Sequence, residues 1–261
     1  MDFTVSALSF VGPKMKWMAQ LPKDMGIEIF WEYGSEDYWK QMLPVLLSER
    51  SGAFSIHGPS VCEDISQAGN TEAIMKRLCR PFDVYHQFHS RFYVLHTNGK
   101  MPPNLTPEES AQRRAIALER IAAFQERCTA SDVTLVVENV NGAPGIPPLF
   151  SQTDFLDIFK QLPDLLCLLD TGHALMSQMD ISAIQKTLGS RIFAYHVHDN
   201  DGTADQHKRI GQGVCDWTEW AAHYQQYTPS AEIVFEYDGL PQVSVYQEDQ
   251  LYLEKIITHR T

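Results

Sequence analysis

Short runs of alternating apolar and polar residues recur along the chain, and longer segments with apolar residues at helical spacing separate them. Apolar positions at every second residue predict β-strands, and repeats at every third or fourth residue predict amphipathic helices. The predicted strands are Phe3–Leu8, Ile27–Glu32, Ala53–His57, Phe92–His96, Thr134–Glu138, Leu166–Asp170, Ile192–His198 and Glu232–Tyr237. The predicted helices are Met15–Leu21, Asp37–Ser48, Glu72–His89, Pro107–Ala130, Thr153–Gln161, Ile181–Leu188, Trp217–Tyr227 and Val243–Ile257.

This regular exchange of strand and helix predicts a parallel sheet, because parallel neighbours need a crossover connection and a helix supplies it. Eight such units in 261 residues favour a closed (β/α)8 TIM barrel of the α/β class over an open sheet. No low-complexity tract or linker divides the sequence. We therefore expect residues 1–261 to form one barrel domain.

Alternation within the strands predicts which side chains face the barrel interior. In the seventh strand, the residues suited to packing against outer helices are Phe193, Tyr195 and Val197. The intervening positions then face inward: Ala194, His196 and His198. The same reasoning places an acid or imidazole on the interior face at the C-terminal end of six strands: His57, His96, Glu138, Asp170, His196 and Glu236.

The C-terminal ends of the strands are where TIM-barrel active sites form. A single buried carboxylate there is as readily a structural ion-pair partner. Three carboxylates and three imidazoles at one mouth would repel and lose hydration unless a cation or bound protons compensated them. Oxygen and imidazole donors without a thiolate suit a divalent ion, with Zn²⁺ or Mn²⁺ favoured and Mg²⁺, Fe²⁺ or Co²⁺ as alternatives.

Polar residues after the sixth and seventh strands are further candidate ligands. His173 follows Asp170 by three residues, and Asp205 and His207 lie in the loop after the seventh strand. His198 is a candidate for supporting a ligand or contacting substrate. For His173 the alternative is a hydrogen bond to the backbone at a helix start.

Composition narrows the range of partners. The formal net charge of −12 disfavours nucleic acid, because binding to phosphates depends on Lys and Arg. The five cysteines are scattered without a CxxC pair, which favours reduced thiols. We expect a cytoplasmic protein, because the N-terminal residues do not resemble a signal peptide and no apolar run is long enough to cross a membrane. The sequence is compatible with a homo-oligomer as well as with a monomer.

The strand ends carry a resemblance to a known group of proteins. The segments SIHG, VLHTNG, VVEN, LLDTGH, YHVHDNDG and VFEYDG resemble those of the xylose-isomerase-like TIM-barrel superfamily, over nearly the whole chain. This superfamily includes sugar isomerases and epimerases as well as endonuclease IV repair enzymes. Similarity to its sugar-epimerase branch implies one divalent ion held by four residues: Glu138, Asp170, His196 and Glu236.

Similarity to the endonuclease IV branch implies a larger, three-zinc site. The positions that match its additional ligands are His57, His96, Asp170 with His173, His196, and Asp205 with His207. However, Gly211-x-Gly213 followed by Asp216 and Trp217 looks more like sequences known only as sugar-phosphate isomerases. The resemblance is therefore compatible with a site for one metal ion or for several.

Two functions follow as expectations. The first is a metal-dependent isomerase or epimerase of a small keto sugar or sugar phosphate, acting through an enediolate. Glu138 and Glu236 would exchange the α-proton as general base and acid. Substrate groups would contact His173 or His198 and Glu32, and a phosphate would contact Lys208 and Arg209, although such basic loop residues are usually only solvated.

The second function is phosphoester hydrolysis by a two- or three-metal cluster. The additional candidate ligands favour it. The acidic net charge and the lack of a basic, aromatic-rich loop weigh against DNA as the substrate. A binding module without activity is disfavoured, because none of the core candidate ligands is missing.

Overall fold

The computed structural model of the protein describes residues 1–258. At its centre eight parallel strands, β1 to β8, close into a barrel in chain order. The strands are β1 (Phe3–Ser6), β2 (Gly26–Phe30), β3 (Phe54–His57), β4 (Tyr93–His96), β5 (Leu135–Glu138), β6 (Leu166–Asp170), β7 (Ile192–Val197) and β8 (Glu232–Phe235). The predicted (β/α)8 barrel and all eight strands are confirmed, with strand ends that differ by no more than two residues.

Ten α-helices, α1 to α10, surround the barrel within residues 1–258. They are α1 (Met15–Met18), α2 (Glu36–Leu46), α3 (Thr71–Leu78), α4 (Phe82–Gln87), α5 (Pro107–Ala130), α6 (Gln152–Gln161), α7 (Thr171–Met176), α8 (Ile181–Leu188), α9 (Trp217–Tyr227) and α10 (Val243–Thr258). Three short 3-10 helices lie at Ala7–Phe10, Gly12–Lys14 and Gly189–Arg191. No helix among these residues is long and apolar enough to cross a membrane.

One predicted helix is two helices in the structure, and one short helix was not predicted. The single helix predicted over Glu72–His89 is two helices, α3 and α4, with Pro81 at the N-cap of the second. Proline has no N–H to donate and restricts the residue before it, so it separates the two. The short helix α7 was not predicted. It begins where the Asp170 side chain accepts a hydrogen bond from the His173 N–H, at 2.6 Å.

The longest helix, α5, has the predicted bounds because its first turn is capped from both sides. The Thr106 hydroxyl accepts from the Glu109 N–H at 3.1 Å, and the Glu109 carboxylate accepts from the Thr106 N–H at 2.8 Å. This reciprocal pair satisfies two N–H groups that a helix start otherwise leaves without partners. It fixes the helix that follows β4.

The barrel interior contains a small apolar cluster of its own. Its buried members are Phe92, Val94, Val136, Leu168, Ala194 and Val234. The predicted inward position of Ala194 in β7 is therefore confirmed, and Val136, Leu168 and Val234 belong to the same inner cluster. Phe193 is the exception, because it packs against this inner cluster instead of facing outward. A register irregularity pairs Cys167 with Ile192 and Leu168 with Ala194, so Phe193 is an extra residue and the alternation shifts there.

The interior of the barrel is polar on the side of β1 to β3. Glu28 of β2 lies in register between Ser6 of β1 and Ser55 of β3, and all three are buried. At the N-terminal end of the barrel, Glu232 bonds to Thr4 and pairs with Arg91 at 2.9 Å. These buried polar groups form the floor beneath the strand ends.

Candidate metal centre

Four side chains at the ends of four neighbouring strands meet at the C-terminal mouth. Each of Glu138, Asp170, His196 and Glu236 offers a ligand atom, and these four atoms all lie within 4.8 Å of one another. Nδ1 of His196 is 3.2 Å from Glu138 Oε1, 3.4 Å from Glu236 Oε2 and 3.7 Å from Asp170 Oδ2. All four residues are at least 97% buried, so their charges are screened little by solvent. We call these residues the quartet.

Residues beside the quartet fix its position. Asn139, directly after β5, donates to the Asp170 carbonyl at 3.0 Å and accepts from the Asp170 N–H at 2.8 Å. Thr171 donates to the carbonyls of His196 and His198. These bonds join the ends of β5, β6 and β7 where the strand ladder stops, so the ligands of different strands keep one geometry.

Two further imidazoles approach the quartet from β3 and β4. Nε2 of His57 lies 3.3 Å from Glu138 Oε2, and Nε2 of His96 lies 3.1 Å from the same oxygen. Within residues 1–258 this buried oxygen nevertheless accepts no hydrogen bond of good geometry. Two nitrogens and one carboxylate oxygen that converge without hydrogen bonding to each other are placed to share a cation.

A second group of candidate ligands adjoins the quartet on the side of the β7–α9 loop. Ligand atoms of His173, His198, Asp205 and His207 also lie within 4.8 Å of one another. Asp205 Oδ2 is 3.2 Å from His173 Nε2 and 3.3 Å from His207 Nε2. His173 connects the two groups, because its Nδ1 lies 3.3 Å from Glu138 Oε1. We call these four residues the loop group.

Asp199 holds the loop that carries this group. Its backbone pairs with that of Lys208, with both N–H···O distances at 2.9 Å. Its buried carboxylate accepts from the Gly211 N–H at 3.0 Å and from the Trp217 Nε1–H at 3.0 Å. The acidic residue after the two strand-end histidines and the glycine–tryptophan motif are thus parts of one loop anchor. His207, at φ 43°, lies in the loop that this anchor closes.

Backbone carbonyls determine which nitrogen three of the imidazoles present. A carbonyl oxygen only accepts, so the Nδ1 atom facing it carries a proton, and Nε2 is the nitrogen that has an electron pair when the ring is neutral. In each case that Nε2 points towards a carboxylate of the cluster. The pairs are His57 with Gly58 O (2.8 Å), His173 with Asn139 O (2.9 Å) and His207 with Glu236 O (2.9 Å).

The charges of the cluster depend on one another. Burial raises the pKa of Glu138, but the nearby charges of His196 and His96 lower it more, so this pKa lies well below its usual range. Burial lowers the pKa of His196, whereas Glu236 and Glu138 raise it well above its usual range. For His207, burial is outweighed by Asp205 and Glu236, and the pKa rises to about 9. The carboxylates therefore demand positive charge at the mouth, from protons or from a cation.

This donor set fits a divalent metal ion. It consists of carboxylate oxygens and imidazole nitrogens, which are ligands that suit Zn²⁺, Mn²⁺ and related ions. The Nδ1 atom of the fully buried His198 also has no hydrogen-bond partner within residues 1–258. The quartet would hold one ion, and the loop group offers donors for another.

Three predicted substrate-binding residues do not join the cluster. Glu32 instead accepts from backbone N–H groups of the loop after β3, among them those of Ser60 at 2.8 Å and Val61 at 2.9 Å. Lys208 pairs with Asp201 at 3.3 Å. Arg209 binds Asp249 and Glu248 of α10, at 2.7 and 2.8 Å. These hydrogen bonds and ion pairs hold loops and helix α10 in position.

His198 is fully buried, so its side chain is not open to the solvent at the mouth. Its Nε2 lies 3.1 Å from both carboxylate oxygens of Asp170, and its ring stacks on that of His207 at 4.0 Å. Gly172 packs directly on the ring, because a Cβ at that position would lie 1.9 Å from its Cε1. His198 therefore contacts Asp170 of the quartet and His207 of the loop group.

Sequence reasoning missed two residues of the site. Glu28, buried beneath the quartet, lies 2.8 Å from His196 Nε2. Glu28 lies four residues before Glu32 in the predicted strand Ile27–Glu32, so strand alternation places both on one face and could have indicated Glu28 as well. Lys100 lines a cavity of about 430 Å³ beside His96, His173 and Asp205. No pattern in its loop indicated that position.

Comparison with known proteins supports the fold. A comparison with curated protein sequences found no match, so the support comes from solved structures. A D-tagatose 3-epimerase-like protein superposes with a TM-score of 0.76 at 16% identity, over 98% of both chains. The TTHB071 protein from Thermus thermophilus, soaked with ZnCl₂, gives 0.73 at 21% identity over 100% of this chain and 99% of its own. The IOLI protein with a bound zinc atom gives 0.76 at 11% identity over 100% of both.

At these identities the structures share a fold with this chain. The sequence itself matches a family profile described as xylose isomerase-like TIM barrel, over residues 25–256. That range includes β2 to β8 and every residue of the quartet and the loop group. The chain therefore belongs to the xylose isomerase-like TIM barrel family.

Proposed function

We propose that this protein is a divalent-metal-dependent isomerase or epimerase of a small keto sugar or sugar phosphate. The observation that carries the proposal is the quartet, in which three carboxylates and one imidazole converge at the barrel mouth within 4.8 Å. Solved structures with the same fold include proteins described as a D-tagatose 3-epimerase-like protein and an L-ribulose 3-epimerase.

Glu138 and Glu236 are the acid–base pair of this proposal. They come from β5 and the end of β8, which β6 and β7 separate in the barrel, so they reach the mouth from different sides. One carboxylate can remove the α-proton from one face of a ketose, and the other can return a proton to the opposite face. The low pKa of Glu138 keeps its carboxylate ionised at neutral pH, which is the state that a general base needs.

A bound divalent ion would supply Lewis-acid stabilisation of the charge that develops on the substrate oxygens. The residues that would hold it are Glu138, Asp170, His196 and Glu236. The adjoining cavity of about 430 Å³ is within the size range of small-molecule sites. Lys100 lines it and forms no ion pair within residues 1–258, so we assign it the anionic group of a phosphorylated substrate, in place of Lys208 and Arg209.

The test is exchange of the substrate α-proton with solvent. The metal-loaded protein is incubated in D₂O with C5 and C6 ketoses and their phosphates, and ¹H NMR follows loss of the α-proton signal. We expect exchange with at least one ketose and its loss in Glu236→Gln, because an amide cannot take the proton. Glu248→Gln, which changes a surface carboxylate on α10, is the matched control.

Metal content has to be measured in the same samples. Loss of exchange in Glu236→Gln supports the acid–base role only where the variant still binds the ion. Full exchange in a metal-loaded Glu236→Gln protein would refute the role of this residue. No exchange with any ketose of the panel would refute the proposed substrate class.

The loop group favours phosphoester hydrolysis as a second candidate function. Isomerisation needs one ion, whereas His173, His198, Asp205 and His207 offer donors for a further ion next to the quartet. Two adjacent ions would bind both the attacking and the leaving oxygen of a phosphoester. Hydrolysis of bis(p-nitrophenyl) phosphate, with loss of that activity in Asp205→Asn, would support this function, and the absence of turnover at every metal loading would argue against it.

A further inference from the structure

Beneath the quartet, Glu28 contacts His196, the histidine of the quartet. Its Oε1 lies 2.8 Å from Nε2 of His196, and the Nδ1 atom of the same ring faces Glu138, Asp170 and Glu236. We propose that Glu28 is a positioning residue of the metal centre. It keeps the His196 proton on Nε2, so that the electron pair of Nδ1 is directed at the ion.

The surroundings of the two ring nitrogens of His196 determine which of them carries the proton. Both ring nitrogens of His196 face carboxylates, so the neutral ring can carry its proton on either nitrogen. Glu28 offers the closer oxygen, at 2.8 Å, against 3.2 Å for Glu138. An ion bound by the quartet would make Nδ1 unable to hold a proton. The Nε2–H bond to Glu28 is then the arrangement that satisfies both nitrogens.

Glu28 is itself held firmly. It is 0% exposed, and its second oxygen accepts from the Ser55 hydroxyl at 3.0 Å. Strand pairing fixes its height in the barrel, opposite Ser55 on one side and Ser6 on the other. A residue on β2 therefore reaches His196 of β7 across the interior, with β1 and β8 between them. Side chains locked in this way restrict the ring orientation of a ligand.

The hydrogen-bond acceptor of His196 differs from the acceptors of the other imidazoles. His57, His173 and His207 each donate to a neutral backbone carbonyl. His196 donates to a carboxylate, which withdraws the Nε2 proton more strongly and makes Nδ1 a better electron donor. Loss of such a support costs about 10- to 100-fold in metal affinity in known metalloproteins.

The first test is the affinity for Zn²⁺ alone, measured by competition with a chromophoric chelator. Glu28→Ala should weaken binding by about 10- to 100-fold. Glu28→Gln keeps an acceptor of nearly the same shape without the charge, so its loss should be smaller. Glu232→Gln changes another fully buried interior carboxyl, one that makes no contact with the quartet in the described residues, and should leave the affinity unchanged.

The second test reads the tautomer directly, which a merely structural role would not alter. Long-range ¹H–¹⁵N spectra of the zinc-loaded, ¹⁵N-histidine-labelled protein should show the His196 proton on Nε2, with the signal assigned by its absence in His196→Gln. Glu28→Gln should retain this tautomer with a shifted Nε2 resonance. A parent protein with the proton on Nδ1, or Zn²⁺ affinities of Glu28→Ala and Glu28→Gln equal to that of the parent, would overturn the inference.

This inference rests on the metal site of the proposed function, and the outcomes separate the two. A protein that binds no divalent ion fails the proposed function itself. A protein that binds Zn²⁺ with an affinity independent of Glu28 fails only the positioning role. A protein whose Zn²⁺ affinity depends on Glu28 but that exchanges no ketose proton keeps this inference and loses the proposed substrate class.

Discussion

Glu232 should make the stability of this protein fall as the pH rises through neutrality. Its carboxyl is 0% exposed at the N-terminal end of the barrel interior. Burial raises its pKa from 4.5 to about 7, although its bonds to Thr4 and Arg91 act in the opposite direction. The charge of Glu28, on the same polar floor, raises it further.

The sign of the effect follows from proton binding. Between about pH 4.5 and pH 7 the folded protein holds a proton on Glu232 that the unfolded chain has lost. The stabilisation that the neutral carboxyl provides is therefore complete below about pH 4.5 and is lost as the pH rises through 7. At about 1.4 kcal/mol per pKa unit, this difference amounts to roughly 3 kcal/mol of unfolding free energy.

Glu232→Gln removes this dependence, because an amide does not ionise. We expect the variant to lose roughly 3 kcal/mol less stability than the parent between about pH 4.5 and pH 8. Urea unfolding followed by tryptophan fluorescence gives both free energies. Titrating groups that do not interact with Glu232 act equally in both proteins, so the difference between the two curves reports chiefly on Glu232 and its neighbours. Parallel pH dependences would refute the reasoning, since they would mean that the parent Glu232 does not titrate in this range.

The other predictions concern the site and its scaffold. Gly172→Ala would place a Cβ 1.9 Å from the His198 ring, so we expect a stability loss of about 1–3 kcal/mol with weaker metal binding, and an unchanged melting temperature and affinity would contradict this packing. Asp205→Asn should leave the ion of the quartet bound, as elemental analysis would show, and a variant that binds no ion would contradict the assignment of the quartet as a site of its own. Thr106→Ala should cost about 0.5–2 kcal/mol through the loss of the α5 cap while ion binding stays the same. Restoring Zn²⁺ to chelator-treated protein at about 100 times its dissociation constant should add about 2.7 kcal/mol, and no shift of the unfolding midpoint would contradict specific binding to the folded state.

The strand ends of the quartet were predictable because three regularities coincide. Parallel strands of a barrel all end at the same mouth, side chains alternate along each strand, and polar residues stand at the inward position of each end. These rules locate Glu138, Asp170 and Glu236 without any knowledge of contacts. Family resemblance then indicated the role of each one.

Other features depend on information that strand periodicity does not contain. The shift at Phe193 arises from a local irregularity in the pairing of β6 and β7. The position of His207 depends on a loop whose closure is determined by contacts of the Asp199 carboxylate with distant N–H groups. The role of Glu28 depends on a contact across the barrel, which relates residues far apart in sequence. Such features follow from tertiary structure, and a pattern along the chain reveals the residue but not its partner.

The quartet is the central claim, and metal content per chain tests it most directly. The purified protein is loaded with Zn²⁺ or Mn²⁺, freed of excess ions and measured by elemental analysis, alongside Asp170→Asn. We predict at least one tightly bound divalent ion per parent chain and a loss of one ion in the variant. One ion in the parent would favour isomerase chemistry, and two or three would favour phosphoester chemistry. A parent chain that retains no divalent ion, or a variant that retains as many as the parent, would contradict the account.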